Sequence, residues 1–368
     1  MNNVKLITFA FIIKRISYAL DTITMMTIKN KRRASSKRGS CQLDTGTHIV
    51  MGFGLGALAT LDPVVANSEI TAQAVLIGTI IGSQAPDVDT ILKIRNNAVY
   101  IRNHRGITHS IPAVLLWPIL ITLVISLFFP NSNIIHVWLW TFLAVFLHVF
   151  VDIFNAYGTQ ALRPITPRWV ALGLINTFDP FIFGIHVFGL ILWAFGANPG
   201  YTFIVVYCIM IGYYFARFKE QRMVKNAVQL KIRHTRKIIL SPTMRYRKWK
   251  VAIMTEDKFY VARCTNGQIQ IVDTFDRVPL PDHPAIDVAK KDKNLAAFLS
   301  FSPIYRFEIQ EDKDFCEVKF IDLRYRSNGH YPFVAVVHLD NHLNITNSYT
   351  GWIFSEEKLR KKMKVLPN

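Results

Sequence analysis

Four short clusters in the sequence carry residues able to do chemistry. They are "DTGTH" with Asp44 and His48, "PDVD" with Asp87 and Asp89, "HRGITH" with His104 and His109, and "HVFVD" with His148 and Asp152. His148 and Asp152 stand four apart, so on a helix both project from one face, as paired metal ligands do. Asp87 and Asp89 follow Pro86 where a helix ends, which lets both carboxylates turn toward one point. His104 and His109 flank Arg105-Gly106, a turn that can bring two imidazoles inward. Mixed imidazole and carboxylate donors suit zinc, with manganese or iron as alternatives, whereas calcium and magnesium favour oxygen alone. The candidate ligands are His48, Asp87, Asp89, His104, His109, His148 and Asp152, more than one zinc needs. The surplus suits a second metal, or carboxylates that orient the ligands and act as general base. Each cluster also has a plain structural reading. His148 with Asp152 can be a buried hydrogen-bonded pair, Asp87 and Asp89 can cap a helix, and His104 and His109 beside Arg102 can sit among lipid phosphates.

The elements that position these clusters are apolar. The chain has 368 residues, 51% hydrophobic and only 18% charged, which excludes a disordered chain and fits poorly with an ordinary soluble one. Its formal net charge of +18 admits a membrane protein with basic flanks or a nucleic-acid binder. The charge distribution separates these, because residues 44–217 hold seven basic and seven acidic residues, and the excess lies outside them. Ile111–Phe129 and Ile134–Phe154 read as spanning segments, and Phe181–Ala197 and Tyr201–Phe215 as slightly shorter ones. Ile49–Ala59 and Ala72–Ala85 are short and apolar. Their Gly52, Gly54, Gly56, Gly78 and Gly82 suit close helix contact in a bilayer. Six segments are expected, with four as the fallback.

Six segments assign every loop to a side. One side receives the N-terminus, 86–110, 155–180 and everything after Arg217, and it holds all 43 Lys and Arg. The positive-inside rule makes that side cytoplasmic. His48 opens the first segment, Asp87 and Asp89 close the second, His104 and His109 open the third, and His148 and Asp152 close the fourth. All four clusters therefore meet at the cytoplasmic face, where ionisable residues at membrane edges are functional candidates by default. Residues 1–43 form a basic, Ser-rich extension expected to be disordered or not native, with Leu43 as a candidate first residue. Cys41, Cys208, Cys264 and Cys316 are too far apart in sequence for a thiolate zinc motif.

The ordered set "DTGTH…PDVD…HRGITHS…HVFVD…YGTQAL-P…DP" resembles the YdjM-like family of bacterial membrane-bound, metal-dependent hydrolases, from Asp44 to about Pro180. The resemblance implies a helical membrane domain in the bacterial plasma membrane, with a metal site related by analogy to zinc-dependent phospholipase C. It implies hydrolysis of a phosphoester or lipid-like substrate and the seven ligands named above. It leaves Asp179 as an outer ligand or a helix cap. Zinc in such enzymes activates a water as nucleophile. Asp87 or Asp89 would accept its proton, and Arg105 or Arg102 would hold the substrate phosphate.

Domains are expected at 44–217 for the helical part, 218–245 for a basic juxtamembrane helix and 246–368 for a small antiparallel β domain. The alternation in "KVAIMT", "KFYVARCT" and "QIQIVDTF" gives three strands, with Asn266-Gly267 as a hairpin signal. "FSPIYRFEIQ", "CEVKFIDLRYR" and "FVAVVHLDNHLNITNSYTGW" add more. His338 and His342 have ligand-like spacing, which a hairpin tip at Asp340-Asn341 explains. "GFGLG" follows no strand, which argues against a dinucleotide site. The other reading is a membrane-tethered regulator with a structural metal. Its basic C-terminal domain, with "RHTRK" and "RYRKWK", would bind nucleic acid or a protein partner.

Overall fold

The structure is a computed structural model describing residues 36–94, 105–312 and 315–364, with backbone alone at 36–44, 91–94, 356, 361 and 364. Two compact units emerge. The first comprises the described residues up to Pro86, Val114–Asp152 and Thr177–Phe215. The second comprises Asp87–Ala113, Ile153–Asn176 and the chain from Ala216 onward. Asp44, Arg102 and His104 have no described side chain.

The helices in chain order are α1 (Ser36–Leu58), α2 (Pro63–Ala66), α3 (Glu69–Gly82), α4 (Ile111–Phe128), α5 (Ile134–Ile153), α6 (Pro180–Ala194) and α7 (Pro199–Lys231). α1 begins inside the stretch read from sequence as an extension; the rest of that stretch lies outside the described residues. Local chemistry sets the boundaries. Asp62 caps α2 by accepting from Val64 N, with Pro63 at the first helical position, where no donor is missed. Ser68 caps α3 at Thr71 N. Among the described residues, α4, α5 and α7 are long and apolar enough to cross a membrane, while Thr45–Leu61 and α6 are apolar but shorter. Against six expected segments, this is a shorter set. α3 has 14 residues, and at 1.5 Å each covers about 21 Å of a hydrocarbon core about 30 Å thick. The outward faces suit lipid: Leu127 and Phe128 are 78% and 74% exposed, and contiguous exposed apolar surface marks a membrane or partner contact.

The first unit packs through its glycines as the sequence predicted. A Cβ on Gly52 would lie 2.9 Å from the backbone of Thr79 and Ile80, and one on Gly82 would lie 3.1 Å from the Thr141 carbonyl. Backbone-to-backbone approach of this kind needs small residues. Val65, Ala74, Val75, Ile121, Ile125, Val137 and Val145 fill the space around these contacts.

The second unit holds two antiparallel four-stranded sheets with strands in sequence order. The first sheet is β1 (Lys237–Pro242), β2 (Lys248–Met254), β3 (Lys258–Thr265) and β4 (Gln268–Asp276); the second is β5 (Tyr305–Glu311), β6 (Cys316–Asp322), β7 (Phe333–Leu339) and β8 (Ile345–Trp352). The sequence pointed to one small sheet domain beginning near Trp249. The difference has two causes. β1 lies in the basic stretch assigned to the juxtamembrane helix, where "KIIL" supplies β-branched residues. Between β4 and β5, Pro279, Pro281 and Pro284 break the ladder and α8 (Pro284–Lys290) and α9 (Lys293–Phe301) follow. α10 (Glu356–Lys364) ends the described chain.

Each sheet covers a helix face. Val224 and Val228 of α7 and Ile232 just after it pack with Trp249, Val251, Ile253, Cys264 and Ile269. Ile286, Leu295 and Phe298 pack with Val318, Phe320, Phe333 and Val337. The β3–β4 turn has Asn266 at φ 51° and Gly267 at φ 80°, the pair of left-handed residues a two-residue hairpin requires. Arg217 pins the second unit together. It is 1% exposed, donates from Nε to Leu174 O (2.9 Å) and from Nη1 to Tyr246 O (2.5 Å) and Glu220 (3.1 Å), and lies over the Trp249 ring. A buried guanidinium without such partners would cost several kcal/mol, roughly 3–5 when one partner is lost.

Candidate metal centre

His48, His148 and Asp152 lie in the first unit and are all buried. The i, i+4 spacing on α5 puts His148 Nε2 3.6 Å from Asp152 Oδ2. The other oxygen, Oδ1, is 3.7 Å from Nε2 of His48 on α1, and the two imidazoles stack at 3.9 Å. His148 Nδ1 stands 2.7 Å from the Ser83 carbonyl, an acceptor that fixes the proton on that nitrogen and leaves the Nε2 lone pair facing Asp152. Ser83 is at the end of α3, so the helix end read from sequence as the seat of the "PDVD" acids also orients a histidine.

Asp87, Asp89, Arg105 and His109 lie in the second unit, in two 3₁₀ segments, Ala85–Ile94 and Ile107–His109, and the turn before the latter. Asp87 Oδ1 is 3.7 Å from His109 Nε2, and His109 is fully buried. Asp89 braces the turn: its Oδ2 accepts from Arg105 N and Thr108 Oγ1, both at 2.8 Å, and Thr108 Oγ1 is also 3.1 Å from His109 Nδ1. Arg105 has a left-handed backbone, φ 57°, and is 3% exposed. Its carbonyl accepts from Gln160 N (2.8 Å) and Thr159 Oγ1 (2.9 Å), residues of the "YGTQAL-P" motif. Asn155 shapes that loop by accepting from Tyr157 N and Gly158 N.

Among the described residues, Asp87, His109, His148 and Asp152 each offer one ligand atom, all within 4.8 Å of one another. Nitrogen–oxygen spacings of 3.6–3.7 Å exceed a hydrogen bond. They approach the roughly 3.3 Å edge of a tetrahedron with zinc bonds near 2.0–2.1 Å. The donor set, two imidazoles and two carboxylates, suits a borderline transition metal. Outside this group, His48 lies next to Asp152, and Asp89 is bonded to Arg105 N and Thr108. Asp179 caps α6, accepting from Phe181 N and Ile182 N, and its other oxygen accepts from Tyr213 (2.7 Å).

Sequence reasoning did not single out Ser83, Thr108, Thr159 or Tyr213. Thr108 and Thr159 sit inside the quoted motifs, so a search for hydroxyls between the ligands would have found them. Ser83 acts through its backbone, which carries no residue-type signal. His338 meets Glu317 across the strands at 2.8 Å, and His342 N donates to Asp340, as a hairpin-tip reading expects.

The family description "YdjM inner membrane protein" matches residues 43–224, and descriptions of a YfhP middle domain and a YfhP C-terminal alpha/beta plait domain match 233–275 and 284–363. Uncharacterized protein YfhP of Bacillus subtilis is 58% identical over 324 residues, covering 88% of this chain and 99% of that protein. The chain belongs to this YdjM-like, YfhP-type family. It is accordingly a membrane protein with a His/Asp group able to hold a metal. No solved structure matches the chain.

Proposed function

We propose that the protein is an integral membrane, metal-dependent hydrolase acting on a phosphoester or lipid-like substrate, with its site and β sheets on the cytoplasmic side. The observation that carries this reading is the group of Asp87, His109, His148 and Asp152, with ligand atoms mutually within 4.8 Å. His48, beside Asp152, completes the candidate donors. A zinc-like ion held there supplies a Lewis acid and an activated water. The remaining tasks fall to the chain. Ser83 O fixes the tautomer of His148, and Thr108 stands at Nδ1 of His109. Asp89 holds the Arg105 turn rigid, and the carboxylates of Asp87 and Asp89 are the candidates to accept the proton of the attacking water. Arg105 supplies a guanidinium for a substrate phosphate. The phosphoester class comes from the family's kinship with zinc-dependent phospholipase C, an argument by analogy. The cytoplasmic assignment follows from the basic loops, and the expected spans follow from the lengths of the apolar runs.

Detergent-purified protein should hydrolyse an activated phosphodiester such as bis(p-nitrophenyl) phosphate, lose that activity to a chelator and regain it with zinc or manganese. Hydrolysis indifferent to the chelator sinks the reading. So does hydrolysis retained in His148→Ala.

A further inference from the structure

A second concavity lies wholly within the second unit, and none of the candidate metal ligands lines it. Its walls are the 156–173 loop, the later turns of α7, β1, the end of α9 and Arg324, and its volume is about 680 Å³. Arg168, Lys225, Lys237 and Arg324 line it, and no carboxylate does. The apolar part of the lining includes Trp169, Leu172 and Phe301, with Trp169 and Phe301 packed edge to face at 5.3 Å.

Arg324 gives the groove a built character. It is 7% exposed and its Nε and Nη2 engage the Asp322 carboxylate, at 3.0 Å and 2.6 Å to Oδ2. Nη2 also donates to Phe301 O at 2.9 Å. Burial by itself would loosen Arg324's hold on its proton, but the Asp322 carboxylate at hydrogen-bond distance outweighs it and keeps the guanidinium charged. Nη1 makes no hydrogen bond among the described residues. A buried guanidinium with two nitrogens satisfied and one left over, on a cationic and aromatic cavity, is the arrangement that recognises an anion carrying an apolar body.

The position along α7 decides which anion. α7 runs unbroken from Pro199 to Lys231, and its charge-free part ends at Ala216. Gln221 and Lys225, which line the groove, follow by five and nine residues, or about 8 and 14 Å at 1.5 Å each. The polar layer of each leaflet is about 5–8 Å deep. The groove wall thus begins at the outer margin of the headgroup layer, where lysine and arginine side chains reach back toward the anionic lipid phosphates.

We propose that this groove binds the phosphate headgroup of an anionic membrane phospholipid. Arg168, Lys225, Lys237 and Nη1 of Arg324 take the phosphate, and Trp169, Leu172 and Phe301 take the glycerol and adjoining chain. The proposal is independent of the metal-site reading.

The test is native mass spectrometry of the full-length protein in detergent, with dioleoylphosphatidylglycerol or dioleoylphosphatidylcholine added at matched concentration. The phosphatidylglycerol adduct should exceed the phosphatidylcholine adduct at least tenfold. The combined variant R168Q/K225Q/K237Q should bring it down to the phosphatidylcholine level. These three side chains are surface-exposed, so the melting curve should not move; if it does, Lys225→Glu alone, on the outer face of α7, should give the same loss. Trp169→Leu should weaken the adduct severalfold with the cations intact. Equal adducts for the two lipids overturn the proposal, as does an undiminished phosphatidylglycerol adduct in the glutamine variant. Displacement of the lipid by millimolar inorganic phosphate or AMP assigns the groove to a soluble anion and overturns the lipid.

Discussion

α5 carries two polar pairs at the same four-residue spacing, one at each end, and they are built differently. At its start, His136 Nδ1 and Trp140 Nε1 both reach Asp62 Oδ2, at 2.6 and 3.1 Å, while Val64 N takes the other oxygen at 3.0 Å. At its end, His148 and Asp152 stand 3.6 Å apart, and His48 lies 3.7 Å from the same carboxylate. The first set is at hydrogen-bond contact and closed; the second is spaced wider by about an ångström. Both ends combine an imidazole with a carboxylate and keep the same spacing on α5, though Trp140 stands where the other pair has Asp152, so distance together with the donor set separates a structural tie from a candidate ligand set.

The largest expected difference between the two ends is in metal content. His148→Ala or Asp152→Ala should lower bound metal, measured by elemental analysis of the purified protein, at least tenfold, whereas Asp62→Ala should leave it unchanged. Metal retained in both α5-end variants would erase the distinction. A smaller effect should follow Asp89→Asn. It loosens the turn that positions His109 without touching the ligand atoms, and losses of supporting hydrogen bonds of this kind weaken metal binding about 10–100-fold. Chelator competition measures it, and unchanged affinity would show that the turn needs no carboxylate.

The smallest effect belongs to the closed end. Asp62→Ala strands His136, Trp140 and Val64 N and should lower thermal stability by about 1–3 kcal/mol. Partial burial tends to raise the Asp62 carboxyl, but hydrogen bonds from His136, Trp140 and Val64 outweigh it and hold the group below its ordinary 3.8. A carboxylate depressed in the folded state stabilises above its unfolded pKa, and that contribution fades as pH falls through the folded one. Melting curves of wild type and Asp62→Asn should therefore differ above about pH 4 and converge at lower pH. A constant gap across that range would contradict the assignment.

Much of this architecture was legible in the sequence because it rests on periodicity and residue type. The apolar runs of α4 and α5, the glycine contacts and the Asn266-Gly267 hairpin follow from local rules. So does the His148–Asp152 face. What was missed depends on partners distant in the chain. Whether "KIIL" continues a basic helix or opens β1 is decided by pairing with β2, Ile239 opposite Ala252 for example, which no local window sees. The bracing of Arg105 by Asp89, Thr159 and Gln160 joins three separate segments of sequence. For α3, apolar composition marks the segment as membrane-like while its 14 residues are short for a full span, a shortness already visible in the run Ala72–Ala85.

The left-handed backbone at Arg105 has a consequence for how the turn behaves over time. An L-residue with a long side chain costs about 1–2 kcal/mol in that conformation relative to the right-handed one. Its own preference therefore pulls the turn away from the observed shape, and its hydrogen bonds with Asp89, Gln160 and Thr159 are among the contacts that oppose it. The turn works as a loaded latch. Releasing the Asp89 bond removes one of those restraints and shifts the balance toward the right-handed backbone that an L-residue prefers.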